Sequence, residues 1–151
     1  MKRMRATTTA ILGLMLFGMG CSHSSTATTP STTTTTTTTT PAAPTVSESF
    51  TGTLPVGSFK FYSFNIAVNG TVNVSLNSVS GASVPPTVQL GLGIGQPSGL
   101  DCAATTNVTA AATAAKPQTT GTFGPGSFCV RVYDVGNLFA PATFNITIAH
   151  P

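Results

Sequence analysis

Apolar residues recur at every second position through most of the C-terminal two-thirds of the chain. Ser49–Leu54 leads into a Pro55-Val56-Gly57 turn, and Lys60–Val68 follows with Tyr62, Phe64, Ile66 and Val68 on one face. Asn69-Gly70 comes next, a pair that tolerates positive φ and is the strongest short hairpin signal. Thr71–Leu76 alternates without a slip. After the Pro85-Pro86 break, Val88, Leu90, Leu92 and Ile94 repeat the pattern, as do Phe128, Val130 and Val132, and then Phe144, Ile146 and Ile148. A spacing of two, rather than 3.6, specifies strands. Ala103–Ala115 is the exception: five of its thirteen residues are Thr or Asn and it has no aliphatic stripe, so it reads as a loop with at most a short strand. Seven or eight short strands joined by Gly and Pro turns predict an all-β fold, an antiparallel β-sandwich of jelly-roll type.

The first 47 residues carry no such alternation. Lys2, Arg3 and Arg5 precede an apolar run of ten residues, Ala10–Met19, which suits the h-region of an export signal and is too short to span a bilayer. Gly20-Cys21 followed by polar Ser22-His23-Ser24-Ser25 resembles the lipobox of bacterial lipoproteins, in which the Cys becomes the diacylated first residue of the mature chain; Gly18 stands where an aliphatic residue is usual. The expectation is a signal peptide over 1–20, a lipid on Cys21, and an address in the bacterial envelope at the outer membrane. Simple secretion after cleavage near Gly20 is the alternative. Two acyl chains would make such anchoring stable, whereas one is marginal. Residues 21–47 are nearly all Ser, Thr, Ala and Pro, with nine consecutive Thr from Thr32 to Thr40, and have almost nothing apolar to bury. They are expected to be a disordered tether with a reach of about 80 Å when extended, leaving 48–151 as the β-sandwich domain.

Charge then removes whole classes of function. Only 6% of the 151 residues are Asp, Glu, Lys or Arg, against about 25% in an average soluble domain. The formal +3 resides in the first five residues; beyond Cys21, Lys60, Lys116 and Arg131 balance Glu48, Asp101 and Asp134. The mature chain is neutral and has no basic patch, so nucleic acid is not an expected partner. With so few titratable groups, an enzyme is not expected either. Setting Cys21 aside leaves Cys102 and Cys129, which in an exported protein are expected to form a structural disulfide. Two Cys without clustered His or Asp make a poor metal shell, and a separation of 27 positions is not a redox C-x-x-C.

Few constellations remain to carry chemistry. Gly91-Leu92-Gly93-Ile94-Gly95 is not a phosphate loop, because the glycines alternate with apolar residues inside a strand and no helix follows. It describes a bare sheet face, either covered by Phe59, Phe61 or Tyr133 or left open for binding. His23 lies in the tether and His150 one residue from the last, so neither promises the rigid setting of a triad. Asp101 and Asp134 lie near Gly99 and Gly136, where Asp commonly fixes a turn; they are also the only candidates for a weak calcium site. No catalytic residue is assigned and no cofactor is expected beyond that calcium. Exposed aromatic platforms for a sugar are not evident, with no Trp and two Tyr.

Five segments together resemble a known family. Phe50–Leu54, Gly57–Phe64 and Gly70–Leu76 are similar to the opening of bacterial pre-peptidase C-terminal domains, Gly126–Asp134 to a later strand with Phe128 in the aromatic place, and Phe144–Ile148 to the last one. The resemblance spans about residues 48–150. It implies a non-catalytic sandwich that accompanies exported enzymes and surface proteins, some of which bind calcium or matrix polymers. The 151 residues themselves hold no peptidase domain, the Cys pair is additional and no acidic cluster is present. The expected role is therefore a lipid-anchored binding or accessory module with an envelope protein or glycan as partner. A weak calcium- or glycan-binding domain and a purely structural envelope protein are the alternatives.

Overall fold

The computed structural model describes residues 40–113 and 116–151; the expected signal peptide, Cys21, His23 and the tether through residue 39 lie outside them. Eight strands follow in chain order: β1 (Val46–Leu54), β2 (Phe59–Ile66), β3 (Gly70–Ser80), β4 (Gln89–Ser98), β5 (Asp101–Ala111), β6 (Thr119–Phe123), β7 (Gly126–Asp134) and β8 (Ala142–His150). They form two four-stranded antiparallel sheets, ordered β1-β8-β3-β6 and β2-β7-β4-β5. This is the two-sheet jelly-roll arrangement the alternation predicts.

The core lies between the sheets and is built from the alternating residues. Val72, Val74 and Leu76 of β3 and Phe144, Ile146 and Ile148 of β8 face Phe64 and Ile66 of β2, Leu90, Leu92 and Ile94 of β4, and Val130 and Val132 of β7. Tyr62 joins them from the side, its ring stacked at 4.5 Å on Phe50 and edge-on to Phe144 at 6.2 Å. Val68, expected on that face, lies beyond the end of β2 and is exposed.

Three expectations change. Asn69-Gly70 does not close a hairpin, because β2 and β3 belong to different sheets and the chain crosses between layers there. Gly70 instead opens β3 where the chain is crowded: a Cβ would collide with Pro151 and the Ala42 carbonyl. Among the described residues the one hairpin within a sheet is β4–β5, turning at Gly99 with φ of 60°. Ala103–Ala115, read as a loop, is an ordered strand as far as Ala111. Its small residues hid it: β5 is an edge strand paired only with β4, so it needs no aliphatic stripe. The sandwich also begins earlier than residue 48. β1 starts at Val46, and Ala42 is hydrogen-bonded to Asn69 (3.0 Å) and Thr71 (2.8 Å).

Both chain ends of the sandwich lie at one pole. Val46 pairs with His150, and Leu54 with Ala142 at the opposite pole. The β1–β2 turn and the loop between β7 and β8 therefore project away from the segment that enters at Ala42.

Candidate functional site

The glycine strip of β4 lies on the outer face of its sheet, and it is covered. Gly91 pairs with Tyr133, Gly93 with Arg131 and Gly95 with Cys129. The Tyr133 ring lies over Gly91, as one of the two expected arrangements requires. Asn107 and Ala104 crowd Gly93, and the backbone of Ala103 folds over Gly95. Only glycine admits that last contact, because β5 carries an extra residue opposite Ile94/Gly95 and bends across the face. The bend brings Cys102 of β5 to Cys129 of β7, with Cα atoms 5.9 Å apart, and the two form the expected disulfide, both halves buried.

Beside the strip, Arg131 lies over the Phe59 ring (4.2 Å) and near Tyr133 (5.5 Å), with Nε 3.6 Å from Asp101 Oδ1. Asp101 also accepts the Cys102 N–H at 2.7 Å. The outer face thus carries a short row of two rings with a guanidinium between them, half-exposed to solvent.

Asp134 is a turn-holder. Its Oδ2 accepts the N–H of Gly57 (2.8 Å), and its Oδ1 those of Gly136 (2.8 Å), Asn137 (2.9 Å) and Leu138 (3.2 Å). Slight burial pushes its carboxyl up, and these four donors outweigh that and hold it below the ordinary value. One carboxylate thereby ties the β1–β2 turn to the β7–β8 loop. A carboxylate ringed by N–H donors offers little to a cation. Asp101 and Asp134 are also not one site: their β4 partners are Ser98 and Leu90, at opposite ends of that strand. Among the described residues no group of three His, Cys, Asp or Glu is close enough to hold a metal.

His150 departs from its expected setting. It is buried against Phe64 (5.3 Å between rings), with Nε2 3.0 Å from Glu48 Oε1 and Nδ1 3.1 Å from the Pro151 oxygen. The cause is register: β8 pairs with β1 to its last residue, which puts His150 on the core face. Rigid as it is, both ring nitrogens already face an acceptor.

A groove of about 370 Å³, announced by no local pattern, lies at the pole where the chain enters. Gly95, Gln96, Ala103 and Thr105 of the β4–β5 hairpin line one side, Phe123 of β6 and Phe128 of β7 the other. The two rings lie 5.0 Å apart. The groove opens where edge strands β5 and β6 of the two sheets part. Its only polar side chains are Gln96 and Thr105.

No family model and no curated protein matches this chain.

Proposed function

We propose that this chain is a lipid-anchored, non-catalytic envelope module: cleaved before Cys21, acylated there, and carrying its sandwich on the Thr- and Pro-rich segment as a binding or accessory domain. The observation that carries the non-catalytic part is how the titratable groups of the described residues are occupied. Asp134 is saturated by backbone donors, Asp101 is held by Cys102 and Arg131, and Glu48 and His150 contact each other. Cys102 and Cys129 are joined, while Lys60 and Lys116 stand exposed on different elements. General acid–base or nucleophilic catalysis requires a group with a free atom aimed at a substrate. The resemblance to pre-peptidase C-terminal domains belongs with this reading, since it implies an accessory role in exported proteins.

The test is hydrolysis by the purified full chain of ester, peptide and glycoside substrates. No turnover is expected. Turnover that disappears in Asp134→Ala or His150→Ala, with thermal melts showing the variants folded, would overturn the reading.

The Phe59–Arg131–Tyr133 row favours a second reading, weak glycan binding on the outer face, because sugars stack on half-exposed rings. Calorimetry with soluble cell-wall oligosaccharides would detect it, and Tyr133→Ala would abolish the heat.

A further inference from the structure

Two large apolar side chains among the described residues stand almost wholly in solvent, Phe139 at 91% and Leu100 at 93% exposure, and they occupy opposite poles. Phe139 is not a loose tip. Leu138 beside it is buried, and Asp134 binds the N–H groups of Gly136, Asn137 and Leu138. The same carboxylate holds Gly57, next to half-exposed Val56. An aromatic ring held out on a braced loop loses little entropy when it is buried by a partner, the usual condition of an interface anchor. The opposite pole carries the Phe123–Phe128 groove, and Leu100 extends from the hairpin that forms its wall.

From this juxtaposition we infer that the chain associates with copies of itself head to tail, Phe139 of one copy entering the Phe123–Phe128 groove of the next. Within one copy the two features cannot meet, because six residue steps along β7, about 20 Å, separate Phe128 from Asp134. The occupant fits the groove in chemistry, an aromatic ring against aromatic and glycine walls. Nothing charged lines the groove, and the carboxylate oxygens of Asp134, the acid behind Phe139, are occupied by backbone donors. A knob at one pole and a hole at the other form a heterologous contact, which builds chains or rings rather than isologous pairs. One ring per contact is small beside the ~1,200–2,000 Å² of a stable interface, so the association is weak and depends on concentration. This inference goes beyond the anchored-module reading and does not need the lipid, since both poles lie in the described residues.

Photocrosslinking tests it with direction. A full-length copy carrying p-benzoylphenylalanine in place of Phe139 is irradiated with a tagged full-length acceptor. The expected result is a probe–acceptor adduct whose yield rises with acceptor concentration and whose linked peptide lies within residues 95–128. A Phe139→Ser acceptor keeps its groove and should give the same yield. An Ala103→Glu acceptor, with a charge at the groove wall, should give about tenfold less; its intact disulfide and protease resistance would show that it is folded. Absence of an adduct, loss of yield with the Phe139→Ser acceptor, or no effect of Ala103→Glu would each overturn the proposal.

Discussion

The two sheets turn different material outward. On β1-β8-β3-β6 the outer positions are Ser, Thr and Asn bonded to one another across strands. Ser49 meets Thr147 at 3.2 Å, and Asn77, bulged out of register, donates to Asn145 (2.7 Å) and Thr147 (2.8 Å). Asn145 in turn donates to Thr51 (3.0 Å), and Thr120 to Asn73 (2.9 Å). On β2-β7-β4-β5 the outer face is a glycine floor covered by Tyr133, by the bend of β5 and by the disulfide. One face distributes its interactions over many replaceable neutral groups, each contributing about 1 kcal/mol or less. The other concentrates them at a few points where shape admits a single residue. The contrast explains how a domain with so little charge keeps a wet surface: amides and hydroxyls pair with each other where other proteins place Lys and Glu.

Removing the disulfide should have the largest effect, because it pins the bend of β5. Cys102→Ala/Cys129→Ala is expected to lose about 3 kcal/mol in urea unfolding, from release of a loop of about 28 residues. A loss no greater than that of a polar-face substitution would break the contrast.

Next come the glycines, which separate a backbone obstacle from a movable ring. Gly95→Ala drives a methyl into the Ala103 carbonyl and should cost about 2 kcal/mol, whereas Gly91→Ala meets Tyr133, which can swing aside, for about 1 kcal/mol. Equal costs would mean that the backbone of β5 is free to move.

Asp134→Asn should cost about 1–2 kcal/mol, since the amide keeps only one good acceptor for four donors. The folded carboxyl titrates below its unfolded value near 3.9, so its contribution is full above that value and is lost as pH falls through the lower, folded one. Melting curves of the parent chain should therefore fall below about pH 4, and part of that fall should vanish in the variant. At the bottom of the scale, Thr147→Val on the polar face should change stability by less than about 1 kcal/mol, with no dependence on salt.

How much of this was legible from sequence follows the same divide. β3 and β8 announce themselves because their buried residues are large and alternate with polar ones, and β4 and β7 because their large apolar residues recur at every second position. β5 does not, because an edge strand of Ala and Thr can satisfy its backbone without a hydrophobic face. Cys102–Cys129 was readable from compartment and count. The loss of the Asn69-Gly70 hairpin was not, since local turn preference says nothing about which layer receives the next strand. His150 and Glu48 lie 102 positions apart, and only the register of β1 on β8 makes them neighbours. The groove depends on where two edge strands separate, which no local pattern encodes.

All these tests concern a sandwich whose proposed place is at the end of a lipid-anchored tether, and that claim rests on Cys21. Intact-mass analysis of the full chain expressed in a bacterial host and recovered from the membrane fraction tests it most directly. The expected result is a mature chain starting at Cys21, heavier than its polypeptide by a diacylglyceryl group. An unmodified Cys21, or a chain cut elsewhere and free in the medium, would contradict it.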